Sequence, residues 1–526
     1  MGKMKKSVSN IFPCLFYGIF CGGVTGVAIF LFRLAANKAE VISRELYSIA
    51  KSSTLYILAA FAILAAVALL MMLLHKKVPE SKGGGIPRSE GVLRGVLPFK
   101  WLRTLIGTII GSMLSFLCGV PVGSEGPSVL IGTSIGEMCL GNSKNKTAWS
   151  RYVMTGGAGA GFAIATGAPL SGILFALEEI HKRFTPMIVM TVSVSVVSAT
   201  YINRVLCELF SISPMLFDIG LFSGFKLSHV LYLFILGIAV AFSVALYDIS
   251  VELLNRFTSR FRKHFATYAK LVIVLILSGI LCLVFPDAAY NGHHLIIKML
   301  ESSPGIGFLI AVLTIRFIMM VFVTASGVTG GSFVPTLAIG AVFSTIIARF
   351  LVLVGMPEDL SIAIILLGMC GFIGGTLRAP LTAAVLFIEL TGQFTDVLYV
   401  ALVIFTVNSI TELFHLTPFY ERSIETMTHE QNGDKKPIIA HFETTIMPNA
   451  FVIGKSVRDV MWPSSTVVIS VKRANDQMDD TVNDGEKKLY AGDTVILRSK
   501  YYDEVELCQI IRGLVGNEAM IHKIEV

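Results

Sequence analysis

From Ile11 to about Phe414 the sequence is a succession of apolar segments separated by short polar breaks, and no other property restricts its fold so severely. The clear segments span residues 11–35, 54–75, 102–120, 185–206, 227–248, 271–285, 306–325, 337–355, 361–374 and 395–414. Several reach the roughly 20 residues that an α-helix needs to cross hydrocarbon. Three others, 84–98, 123–140 and 156–180, are interrupted by Gly and Pro. Non-helical backbone is tolerated at membrane depth only where it is buried in protein or lines a wet cavity. Interrupted helices therefore mark the place to expect a transport site. The expected architecture is all-α and polytopic, with a small α/β domain after it.

Charge is distributed to match. Only 15% of the 526 residues are charged, against about 25% in soluble domains. Residues 1–429 carry 31 basic and 21 acidic side chains, and residues 430–526 carry 12 and 15. The pattern predicts a membrane part over 1–425, a polar linker over 426–437 marked by Asn432-Gly433, and a water-soluble domain over 438–526. The loop holding Arg256, Arg260, Arg262, Lys263 and Lys270 is expected on the cytoplasmic side, as are both termini. Lys3, Lys5 and Lys6 precede an apolar stretch with no small-residue cleavage site, so the start reads as a first helix rather than a signal peptide. A bacterial plasma membrane is the expected location. Basic residues flank apolar runs and form no patch interleaved with aromatics, which argues against nucleic acid as a partner. The eight cysteines show no CxxC spacing and mostly sit in apolar runs. They read as small buried hydrophobes, with no metal site expected.

The chain also repeats itself. The run from Gly123 to Gly132 (GSEGPSVLIG) is similar to that from Gly331 to Gly340 (GSFVPTLAIG), and Ala168-Pro169-Leu170-Ser171 to Ala379-Pro380-Leu381-Thr382. The latter two runs continue into apolar helices that end in carboxylates, Glu178 and Glu389. Internal repeats with helices broken at matching places characterise secondary transporters.

Four segments read as helix starts gathered around one site: Gly83-Gly84-Gly85-Ile86-Pro87, Gly123-Ser124-Glu125-Gly126-Pro127, Gly330-Gly331-Ser332-Phe333-Val334-Pro335 and Thr417-Pro418-Phe419-Tyr420. Gly allows close backbone approach, and Pro suits the first turn, where its missing N–H costs nothing. The remaining free N–H groups and the positive end of the helix dipole favour an anion. Partial charges bind moderately and permit release, as conduction requires. Glu125 among these starts would compete with an anion for the same space, although a helix-start Glu is also favoured by the dipole alone. Acidic residues inside membrane segments are costly and usually functional.

In order and content, the three glycine motifs resemble the signature segments of the chloride channel/transporter (CLC) family, and the likeness covers roughly residues 10–430. Gly172–Glu179 and Tyr420 also fall where the family has matching features. The resemblance implies a CLC-like inverted repeat of uneven, tilted helices and a homodimer with one pore per subunit. It also implies a central chloride held by the Tyr420 hydroxyl and the amides of Ser332 and Phe333, with Gly84, Gly85, Ser124 and Gly126 contributing to anion binding. Glu125 matches the outer gating glutamate. Glu179 matches the inner proton glutamate of the exchangers, with an interfacial ion pair to Lys182 or Arg183 as the alternative. The implied activity is proton-coupled chloride antiport, not enzymatic catalysis and without a cofactor. A passive gated chloride channel is the alternative. Two departures bear on selectivity: Gly84 stands where many chloride-selective members have Ser, and Ser124 where Arg is common. A fluoride or nitrate transporter fits less well, because Glu179 and Tyr420 follow the chloride exchangers.

In the tail, Thr466–Arg473 and Thr494–Arg498 read as strands, and Ser456–Met461 and Tyr502–Ile511 as short helices. With the turn Ala491-Gly492-Asp493, the pattern resembles the C-terminal subdomain of potassium-conductance regulators (RCK-C, or TrkA-C type). Such domains dimerise and bind small ligands, cyclic di-AMP among them, which implies ligand control of transport; a simple assembly module is the alternative. A potassium channel would need a carbonyl filter such as TVGYG, and that sequence is absent. His429-Glu430 does not extend to HExxH, since residue 433 is Gly.

Overall fold

A computed structural model describes residues 2–141, 146–217, 224–258, 263–302, 304–415, 417–433, 437–463, 465–473, 479–481 and 485–524. The first half holds α1 (Gly2–Ala50), α2 (Thr54–Lys77), α3 (Ile86–Leu93), α4 (Trp101–Leu117), α5 (Glu125–Leu140), α6 (Lys146–Thr166), α7 (Pro169–Phe175) and α8 (Pro186–Phe210). The second holds α9 (Val230–Thr258), α10 (Lys263–Val284), α11 (His293–Glu301), α12 (Ile306–Ser326), α13 (Phe333–Leu353), α14 (Ser361–Leu377), α15 (Pro380–Thr391), α16 (Val397–Leu413) and α17 (Phe419–Asn432). Among the described residues, seven helices are long and apolar enough to cross a membrane. Arg260 and Arg262 of the expected cytoplasmic loop lie outside the described residues.

Helices that stop short do so for local reasons. Gly167 takes φ +70 between α6 and α7, and Pro169 opens α7. At the repeat-related place Arg378 takes φ +56, and Pro380 opens α15. Helices α5 and α6 touch backbone to backbone. A Cβ on Gly132 would lie 2.0 Å from the Gly157 carbonyl oxygen, and one on Gly157 would lie 2.1 Å from that of Gly132. Small residues allow this contact where lipid supplies no hydrophobic drive for association.

The two halves interlock by exchanging equivalent contacts. Gly123 donates its N–H to the Gly331 carbonyl at 2.7 Å, and Gly331 donates back to Gly123 at 2.8 Å. Glu178 accepts from the N–H groups of Leu381 (3.0 Å) and Thr382 (2.7 Å) and from the Thr382 hydroxyl (2.7 Å). In return Glu389 accepts from the N–H groups of Leu170 and Ser171 and from the Ser171 hydroxyl, all at 2.7 Å. Each repeat thus caps a helix of the other, and such reciprocity is the mark of a two-fold axis. A hydrogen bond to a charged group contributes about 1.5–3 kcal/mol. Glu389→Ala removes three accepted hydrogen bonds at once and is expected to lower the detergent-solubilised unfolding midpoint clearly, with Glu389→Gln recovering part of the loss.

Helix α17 departs from expectation. Residues 426–432, expected to be linker, are its second half, and it ends only at Gly433, where φ is +58. No Gly or Pro lies within Phe419–Asn432, so polar composition alone did not interrupt the helix.

The tail forms a five-stranded antiparallel sheet in the order β3-β2-β4-β1-β5, from β1 (Ile438–Thr445), β2 (Thr466–Lys472), β3 (Asp479–Thr481), β4 (Thr494–Tyr501) and β5 (Ile521–Ile524). One helix, α18 (Glu504–Val515), is capped by the Asp503 carboxylate, which accepts from the amides of Val505 (2.8 Å) and Glu506 (3.2 Å). The helix expected over Ser456–Met461 is a single turn, Val457–Asp459. The backbone turns extended at Val460 and soon meets Pro463, which disfavours helix before it. The tail packs on the start of α6. Arg151 donates to the Trp462 carbonyl at 2.8 Å, Tyr152 to the Asp459 carbonyl at 2.7 Å, and Trp149 meets the Phe451 ring edge-on at 5.5 Å.

Candidate anion site

Each of the four motifs opens a helix. Gly85, Ser124, Ser332 and Pro418 stand immediately before α3, α5, α13 and α17. The first three starts converge backbone to backbone. A Cβ on Gly126 would lie 2.0 Å from the Gly84 oxygen and 2.8 Å from the Gly331 Cα, and one on Gly85 would lie 2.3 Å from the Gly126 oxygen. Gly85 also takes φ +72, which a side chain disfavours. Gly85 and Gly126 therefore bring N-termini together at a range that no larger residue permits. Three positive dipole ends meet there.

Tyr420, in the first turn of α17, is fully buried, and its hydroxyl has no hydrogen-bond partner among the described residues. That hydroxyl lies beside the Ser332 side chain, and both Glu125 and Glu179 are within its electrostatic reach. A buried polar atom without a partner is rare and calls for an explanation such as an unseen ligand. Phe333 meets Phe162 edge-on at 5.0 Å, and Phe162 stacks on Phe175 at 4.1 Å, so aromatic packing holds the α13 start.

Glu125 is 2% exposed. Its Oε1 accepts from the Ser124 hydroxyl at 3.3 Å, and the carboxylate faces the amides of Glu125 itself and of Val334 across the repeat. Ser124 thus turns toward Glu125. The carboxylate lies between the starts of α5 and α13, and its Oε2 has no hydrogen-bond partner among the described residues. Arg33 of α1 supplies a cation within electrostatic reach of Glu125 while donating to the Ile164 carbonyl at 2.9 Å. No pattern in the sequence pointed to Arg33.

Glu179 sits in a widened, π-helical turn, Ala176–His181, that follows α7. It is 2% exposed, and Oε1 is unpartnered. Among the described residues it makes no ion pair. Lys182 pairs instead with Glu421 at 2.7 Å and Glu90 at 3.2 Å. Arg94 completes the group, meeting Glu90 at 2.5 Å and Glu421 through two bonds of 2.7 and 2.9 Å. Glu90, Arg94 and Glu421 were missed in the sequence. The spacing of Glu90 and Arg94, four apart at the end of α3, was the available signal. Tyr247, a second buried phenol whose hydroxyl is unpartnered, left no trace beyond a Tyr in an apolar helix.

A cavity of about 600 Å³ reaches this region, lined by Gly84, Gly330, Gly331 and Ser332 and, from α17, by Ser423, Glu425, Thr426, Met427, His429 and Glu430. A sequence model of the family described as voltage gated chloride channel matches residues 66–412. The chain belongs to the voltage-gated chloride channel family.

Relatives within this chloride channel family are similar in sequence or in fold. The H(+)/Cl(−) exchange transporter ClcA of Salmonella schwarzengrund is 27% identical over 429 residues, covering 80% of this chain and 90% of its own length. A slow cyanobacterial Cl−/H+ antiporter of known structure superposes with a TM-score of 0.73 at 28% identity, covering 80% of this chain and 99% of the other. A CLC-type fluoride/proton antiporter, at 18% identity and a TM-score of 0.62 over 77% of this chain and 96% of the other, shares the fold. The channel-family fold, predominantly helical, and the small C-terminal antiparallel sheet domain are thus both present.

Proposed function

We propose that the protein exchanges chloride for protons across a membrane. One observation carries this reading: two buried carboxylates, each with an unpartnered oxygen, both within reach of an unpartnered buried phenol at converging helix starts. Glu125 is the gate. Ionised, it fills the anion's place; protonated, it leaves. Glu179 passes protons to and from the opposite side, and the central anion is held by Tyr420, Ser332 and Phe333 with Gly84, Gly85, Ser124 and Gly126 shaping the cradle. The names of the ClcA relative and the cyanobacterial antiporter support antiport over passive conduction. The test is a proteoliposome with an imposed chloride gradient. Uphill proton movement is expected; chloride flux without it makes the protein a channel.

In this reading residues 1–425 are the transport domain, two copies assemble, and both termini face the cytoplasm. Residues 438–526 form an RCK-C-like regulatory domain that dimerises and takes a ligand such as cyclic di-AMP. Saturable binding of cyclic di-AMP to the full-length protein in detergent supports that role, and its absence leaves the tail as an assembly module.

Gly84 sets the anion preference. A Cβ there would lie 3.7 Å from its nearest neighbour, the Gly330 oxygen, so a side chain fits. Gly84→Ser adds a hydroxyl donor, and since a donor to a charged group contributes about 1.5–3 kcal/mol, the chloride-to-nitrate flux ratio is expected to rise about tenfold.

A further inference from the structure

The cavity below the helix starts is lined by Lys82, Lys270, Arg422 and His429 and by two carboxylates, Glu425 and Glu430. Lys270 and Arg422 make no ion pair among the described residues. Arg422 is held by backbone oxygens, donating to the Asp248 and Thr417 carbonyls, both at 2.9 Å. Lys82 is different. Its Nζ donates to both Glu430 oxygens, at 2.9 and 2.7 Å, with the two side chains 28% and 49% exposed.

The two partners come from elements that meet at the anion site. Lys82 immediately precedes the first glycine start, and its backbone neighbour is pinned: Gly83 donates to the Gly327 carbonyl at 3.0 Å and accepts from Gly330 at 3.3 Å. The Lys82 stem lies against Gly327, since a Cβ there would come within 2.6 Å of its Cε. The root is therefore fixed, and the side chain it carries lines the cavity and is 28% exposed. Glu430 lies in the last turn of α17, whose first turn carries Tyr420, and beyond which the chain enters the tail at β1. A half-exposed ion pair of this kind is weak and opens readily. A cavity with low-dielectric walls concentrates ions of opposite sign to its lining.

We propose that Lys82 is a docking cation for small monovalent anions travelling between the open end of the cavity and the site under Gly84 and Ser332, and that Glu430 competes for it as a carboxylate latch. With the pair closed, Lys82 is neutralised and the cavity attracts anions less. With it open, an anion takes the place of the Glu430 carboxylate. Because Glu430 and Tyr420 share one unbroken helix, a shift of the tail that carries the end of α17 acts on the latch.

This inference rests on the transport reading, and one experiment separates the two. Initial chloride flux is measured in proteoliposomes at low ionic strength against chloride concentration. Glu430→Gln is expected to lower the half-saturating chloride concentration at least threefold. Lys82→Gln is expected to raise it at least threefold, Lys82→Arg to leave it near wild type, and the double variant to match Lys82→Gln alone. Gel-filtration profiles check that each variant is folded. Opposite shifts in the two single variants support the latch. Shifts in the same direction, as a purely structural pair would produce, or no shift in either, overturn it while leaving antiport intact. A wild type that moves no chloride overturns both.

Discussion

Glu125→Gln is expected to abolish uphill proton movement while chloride still flows down its gradient. Gln has the same shape and accepts from the same Ser124 hydroxyl and Val334 amide, so the helix starts stay satisfied. It cannot ionise, so it neither carries a proton nor presents the negative charge that would compete with an anion in the proposed exchange. Glu179→Gln should differ in kind. That side chain is buried in the π-helical turn, apart from the convergence of glycine starts. Its loss should depress proton flux more than chloride flux. Paired measurements of the two fluxes in one proteoliposome preparation check both. Intact coupling in both variants removes the proposed roles.

Gly126→Ala is expected to eliminate chloride and proton transport together and to reduce the yield of folded protein. A single methyl would stand 2.0 Å from one backbone oxygen and 2.8 Å from another chain segment's Cα. Overpacking in a tight core costs about 1–3 kcal/mol even where side chains can move aside. Here the obstructing atoms are backbone of the first and third motifs, which cannot yield without moving α3 and α13 apart. Gly84→Ala is the control, because its Cβ has 3.7 Å of clearance. It should fold and transport. Size-exclusion profiles and flux on the pair separate a packing requirement from general intolerance of glycine replacement.

The features legible in the sequence were those with a local signal. Gly followed by Pro marks a helix start whatever the tertiary context, so α3, α5 and α13 open where the sequence places them. The breaks at Gly167 and Arg378 were legible through the Pro that follows each. Contacts between distant segments were not. The alternative reading of Glu179 paired it with Lys182 or Arg183, its neighbours in sequence, but the turn directs Lys182 to Glu90 and Glu421. The second half of α17 was hidden for another reason. Polar residues with an Asn-Gly at the end compose an exposed helix as readily as a linker, and only the Gly433 stop distinguishes where it ends. In the tail, β2 and β4 were visible as β-branched runs. The strands β1 and β5 depend on pairing with segments far along the chain.

The traded carboxylates, Glu178 and Glu389, make each half the keeper of the other's proline-led helix. Severed from its counterpart, either half would leave two amides and one hydroxyl at that helix start without their acceptor. Cutting the gene between them should therefore yield two pieces that are each unstable alone and recover structure only when made together.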